Sequence, residues 1–103
     1  MKKFESDPVE MLDVLACDIE VRPKAAPGPM DIAPFVLDRT RSADAVTITF
    51  APAGLQHVAA FVDAERLCCS GIDWQLERAP ILSLRIGASS AQLDIIEQMF
   101  PPS

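Results

Sequence analysis

The run Val46-Thr47-Ile48-Thr49-Phe50-Ala51-Pro52 decides how this chain is read. Val46, Ile48 and Phe50 alternate with two threonines, the period of a strand with one buried face, and Pro52 stops it. From there the period lengthens. Leu55, Val58, Ala59, Val62 and Cys69 keep helical spacing, so residues 54–69 read as an amphipathic helix. Gly71 lies just beyond and is expected to take the left-handed position that ends it. Period two then returns. Ile72, Trp74 and Leu76 alternate with Asp73, Gln75 and Glu77, Ala79-Pro80 makes a turn, and Leu82, Leu84 and Ile86 alternate with Ser83 and Arg85.

Working outward, Phe35 and Leu37 alternate with Val36 and Asp38, and Thr40 to Asp44 separate them from the next strand, which reads as a β-hairpin. At the other end Ser89 and Gln92 have capping-box spacing, and Leu93, Ile96 and Phe100 define a last helix before Pro101-Pro102. The order is ββαββα. Four strands with one apolar face each need a cover, and two amphipathic helices supply it, so the expected fold is an α+β two-layer sandwich with a mostly antiparallel sheet. The helical connection between the hairpins leaves strand order open. Two exposed sheet edges make a homodimer the expected assembly.

Residues 1–30 read differently from the domain at 31–103. Asp7-Pro8 opens a short helix that runs to about Cys17. Three prolines and a glycine between Pro23 and Pro29 then end regular structure and mark a linker.

Composition sets the class. The 103 residues fit one small domain, and 50% hydrophobic content argues against disorder of the whole chain. Fifteen acidic side chains outnumber nine basic ones for a net charge of −6, which excludes the clustered positive charge a nucleic-acid binder needs. The longest apolar run, Val58 to Val62, is far too short to cross a bilayer. Glu5, Asp7, Glu10 and Asp13 stand where a signal peptide would be apolar, so a cytoplasmic protein is expected.

The three cysteines, Cys17, Cys68 and Cys69, carry what chemistry the sequence offers. An odd count with two adjacent does not read as a secreted disulfide scaffold, and neighbours in a helix leave the axis about 100° apart, too divergent to bridge each other. Glu65 precedes them by three and four residues, one helical turn away, on the border of the apolar stripe. Thiolates select soft ions, and a carboxylate beside them orients the site or accepts a thiol proton. Cys17 supplies a third sulfur if the N-terminal helix folds back. Three sulfurs suit arsenite; two suit mercury(II) or copper(I). Zinc wants four ligands, and the single histidine, His57, stands at the other end of the helix. On the wheel Cys69 falls near the core stripe and Cys68 on its flank, so one deeply packed thiol is expected. The alternative is that cysteine acts here as a small buried hydrophobe.

The stretch Phe61-Val62-Asp63-Ala64-Glu65-Arg66-Leu67-Cys68-Cys69, followed by Ile72-Asp73-Trp74-Gln75-Leu76, resembles small, mostly uncharacterised bacterial proteins with a Glu-Arg-x-Cys-Cys-Pro-Phe-x-x-Phe-x-Leu pattern. Their genes are often found near metal-resistance or MerR-type regulatory genes. The likeness covers roughly residues 45–100. Glu65, Arg66, Cys68 and Cys69 match the pattern, Trp74 stands at its aromatic position, and Ser70-Gly71 replaces Pro-Phe. The resemblance implies a thiol site linked to heavy-metal handling, with Glu65 and Arg66 supporting the sulfurs. Three functions follow from these residues: a soft-metal or metalloid binding protein, a dimerisation module with buried cysteines, or a thiol enzyme using Cys68 or Cys69 with Glu65 as base.

Overall fold

The computed structural model describes residues 23–100. The N-terminal helix expected up to Cys17 lies outside them. A single helical turn, α1 (Pro29–Ile32), leads through a 3-10 turn (Ala33–Phe35) into the hairpin β1 (Val36–Arg41) and β2 (Ala45–Phe50). A second 3-10 turn (Pro52–Gly54) opens α2 (Leu55–Cys68), followed by β3 (Asp73–Glu77), β4 (Ser83–Gly87) and α3 (Ser90–Met99). The sheet order is β1-β2-β4-β3, antiparallel throughout. Strand β4 therefore sits between β2 and β3, and the connection through α2 spans it. This is the α+β fold the periodicity calls for.

The alternation seen in the sequence is the alternation of faces. Val46, Ile48 and Phe50 of β2, Leu84 and Ile86 of β4 and Trp74 of β3 are buried in one core with Val58, Phe61 and Val62 of α2 and Leu93, Ile96 and Phe100 around α3. Thr47, Thr49, Gln75 and Arg85 lie on the opposite, open face. The Ser89–Gln92 capping box forms at the start of α3, with bonds of 3.2 and 3.0 Å running in both directions.

Three local expectations are corrected. First, Pro29 and Met30 do not belong to a featureless linker. Proline is well placed at the start of a helix, where its missing N–H costs nothing, and α1 buries Ile32 completely. Second, Phe35 and Leu37 do not form the inward face of β1. Phe35 belongs to the 3-10 turn, Val36 is the buried residue, and the register shifts between Val36 and Asp38, leaving Leu37 58% exposed. Third, the hairpin turn is shorter than Thr40 to Asp44, because Thr40 and Arg41 continue the strand.

That continuation has a physical reason. Arg39 and Arg41 pair opposite Ile48 and Val46 and so share the helix-covered face. Arg39 donates to the carbonyls of Glu97, at 2.9 Å, and Phe100, and its guanidinium lies 3.5 Å from the Glu97 carboxylate. Arg41 meets Asp94 at 2.9 Å and Glu97 at 2.8 Å. Hydrogen bonds to Asp94 and then Glu97 raise the Arg41 guanidinium above its usual pKa, so Arg41 stays charged at any ordinary pH. Two inward arginines thus hold the end of α3 against the sheet edge.

Gly54 shows where the start of α2 is tightest. A Cβ there would lie 2.6 Å from Cγ of Phe35, closer than packed carbon atoms approach. Gly54→Ala is expected to cost about 1–3 kcal/mol, the usual range for overpacking. Urea denaturation measures it, and an unchanged midpoint would mean that Phe35 yields freely.

Candidate metal centre

Helix α2 ends at the sulfurs. Its last hydrogen bond runs from the Cys69 N–H to the Glu65 carbonyl at 2.7 Å, with Cys69 at φ −117° and ψ 56°. The Ile72 N–H then bonds the Cys69 carbonyl at 3.1 Å. No described glycine takes positive φ, so Gly71 does not end the helix in the expected left-handed form. Cys69 itself leaves the helical path, and the chain turns through Ser70 and Gly71 into β3.

The departure from helical geometry brings the two sulfurs together. Cys68 Sγ and Cys69 Sγ are 3.5 Å apart. Each also approaches the Glu65 carboxylate: Cys68 Sγ is 3.9 Å from Oε2 and Cys69 Sγ 3.5 Å from Oε1. Ligand atoms of all three residues lie within 4.8 Å of one another. All three are buried, at 6% exposure for Glu65, 4% for Cys68 and 0% for Cys69. The expectation of one deep thiol and one on the flank is therefore corrected. Both cysteines are buried.

The two cysteines differ in chemical state. Cys68 is a thiol, and Cys69 is disulfide-bonded. At 3.5 Å their own sulfurs are in contact and not bonded. A bridged sulfur has no proton, so in this form the donor in the Cys68–Glu65 pair is the Cys68 S–H. Cys17 lies outside the described residues.

Trp74 and Arg66 shape the surroundings. The Trp74 indole N–H also donates to the Cys69 carbonyl, at 3.1 Å, a second hydrogen bond to the oxygen that accepts from the Ile72 N–H. Arg66, expected to support the sulfurs, turns away from them. Its guanidinium is half exposed, donates to the Trp74 carbonyl at 2.8 Å and lies 3.9 Å from Asp63. It ties α2 to β3 and so holds the frame of the site without touching it. The Trp74–Cys69 bond is the element sequence reading missed. Its only signal is an aromatic N–H five residues after the second cysteine. His57 stays at the exposed start of α2 with its ring 5.2 Å from that of Phe35.

The position of the cluster sets its electrostatics. Cys68 and Glu65 belong to the last turn of α2, where unpaired carbonyls give the helix a partial negative end. A negative charge on sulfur is disfavoured there, and a cation is favoured. Two soft donors and a carboxylate oxygen at a negative helix end form a set that suits a soft cation better than a hard one. No helix among the described residues is long and apolar enough to cross a membrane. Comparison with protein families, with curated proteins and with solved structures finds no match.

Proposed function

We propose that the chain, in its reduced form, binds a soft metal or metalloid ion through Cys68 and Cys69, with Glu65 as the adjoining oxygen donor. The carrying observation is the convergence of two sulfurs and a buried carboxylate within 4.8 Å.

The sulfur spacing narrows the ion. With metal–sulfur bonds of about 2.3 Å, two sulfurs 3.5 Å apart subtend an angle of about 100° at a shared ion. A linear two-coordinate ion needs the sulfurs roughly 4.6 Å apart on the same bond length. Kept on reduction, this spacing favours a bent, three-donor ion such as arsenic(III) over mercury(II) or copper(I). Cys17 is the proposed third sulfur, and Glu65 holds that place if it is not. The competing account is a packing module, supported by burial of both cysteines.

Titration separates them. Reduced protein should take up one equivalent of arsenite or of a monosubstituted arsenical, seen as a mass increment under non-denaturing conditions. Glu65→Gln should weaken uptake by about 10–100-fold while leaving stoichiometry at one, as loss of a supporting carboxylate does in metal sites. Absence of uptake by fully reduced protein would leave packing as the better account.

A further inference from the structure

We propose that a cleft at the start of α2 binds a small carboxylic acid with an apolar tail, its carboxylate held by Arg78. The cleft has a volume of about 400 Å³, within the range of small-molecule sites. Phe50 and Leu82, both buried, line it together with Leu55, the first residue of α2. Leu37 and Ile81, each 58% exposed, line it as well. Among the described residues of the lining, Thr49 and Arg78 are the only ones with polar side chains. Cys68 closes the other end of α2, so this cleft and the soft-ion site are separate, and neither reading depends on the other.

The bulge in β1 puts Leu37 there. Val36 and Asp38 pair with the adjacent residues Phe50 and Thr49, which leaves Leu37 as the extra residue of the strand. A bulge re-aims a side chain, and here it gives the cleft a leucine. Ile81 comes from the loop between β3 and β4. Single exposed apolar residues are ordinary on a protein surface. Two of them lining one cleft with buried Phe50 and Leu82 form a continuous apolar patch.

Arg78 selects the charge of the ligand. Arg39, Arg41, Arg66 and Arg85 each pair with a carboxylate of this chain. Arg78 makes no ion pair or side-chain hydrogen bond among the described residues. A guanidinium stays charged, and its planar fork meets a carboxylate in bidentate fashion. The acids that neighbour Leu37 and Arg78 in sequence, Asp38 and Glu77, are exposed and do not line the cleft. An ionised head with a hydrocarbon tail matches both parts of the lining. The apolar face of a second copy would cover Leu37 and Ile81 but leave the guanidinium without an acceptor, which burial disfavours.

The test uses the full chain with octanoate, octanol and octylamine as probes, kept below the concentrations at which they aggregate. Amide chemical shifts follow each titration. Octanoate should saturate one site, with the largest shifts at Leu37, Thr49 and Ile81 and none at Cys68 or Cys69. Octanol should bind about 10-fold more weakly, the size of one charge-assisted contact, and octylamine should not saturate. Arg78→Gln should weaken octanoate by about the same factor and leave octanol unchanged. Ile81→Ser should weaken both. Equal affinity for octanoate and octanol, or full octanoate affinity in Arg78→Gln, would overturn the assignment of the carboxylate to Arg78. No saturable octanoate binding, or shifts only outside the cleft, would overturn the site itself. A doubled mass by light scattering that Leu37→Ser and Ile81→Ser together abolish, with no octanoate uptake by wild type, would assign the cleft to a second copy instead.

Discussion

Phe61→Ala should cost about 3–5 kcal/mol of folding stability, the range for truncating a buried phenylalanine. Phe61 is fully buried on the inner face of α2. Its ring meets Trp74 edge-on, with centroids 6.1 Å apart and planes at 83°, and Phe100 at 5.8 Å and 89°. It therefore joins the middle helix to β3 and to the end of α3 at once. Each edge-to-face pair adds roughly 0.5–1.5 kcal/mol beyond area burial, and the variant loses both while leaving a cavity between them. Small domains have only about 5–15 kcal/mol in total, so the variant should sit near the edge of stability. Urea denaturation at constant slope is the measurement. Leu67→Ala is the control on the same helix, because Leu67 is 59% exposed and its loss should stay within about 0.5 kcal/mol. Similar losses for the two would mean that Phe61 is not the joint between the layers.

The comparison explains which features a sequence declares. Strands β2, β3 and β4 and helices α2 and α3 were legible because each puts apolar residues on one face and polar residues on the other. That is a local pattern with a period the backbone imposes. Strand β1 was legible only in part. Its inner face carries Arg39 and Arg41; Arg41 looks like a turn residue until its partners are known, and those partners, Asp94 and Glu97, lie more than fifty residues downstream. The sheet order has the same cause, since insertion of β4 between β2 and β3 is a long-range pairing that no local period records.

The candidate site divides the same way. Glu65, Cys68 and Cys69 could be placed together because helical spacing alone puts them within a turn. Their common burial could not, because it depends on what packs over the helix end, which no local spacing records. Arg66 was grouped with the cysteines by the resemblance to the Glu-Arg-x-Cys-Cys pattern, but its place next to Glu65 on a helix is the spacing that points side chains apart. The disulfide at Cys69 was not expected, because a bridge is made by tertiary approach and neighbouring positions in sequence carry no trace of it.

Replacing Cys68 and Cys69 together by serine should abolish soft-ion binding, with at least a 100-fold loss of affinity for an arsenical, and leave the fold in place. A hydroxyl is close to a thiol in volume but is a hard donor that stays protonated at neutral pH, so it cannot stand in for a thiolate toward a soft ion. The structural cost is smaller. Each buried change should cost on the order of 1 kcal/mol, and the new hydroxyls have the Glu65 carboxylate within reach as an acceptor. Redox conditions decide how that cost is read. Under oxidising conditions the variant also loses the disulfide at Cys69, and a bridge is typically worth about 2–4 kcal/mol through the unfolded chain it restrains. The stability comparison must therefore be made in reductant, where wild type has no bridge to lose, and repeated without it. A large gap between variant and wild type only in the absence of reductant assigns the difference to the disulfide. A large gap in both assigns it to packing of the sulfurs. Binding is read separately, in a phosphine that does not compete for the ion. Unchanged arsenical stoichiometry and affinity in the double variant would remove these cysteines as ligands. The convergence of two sulfurs and a carboxylate at the end of α2 would then be a matter of packing alone.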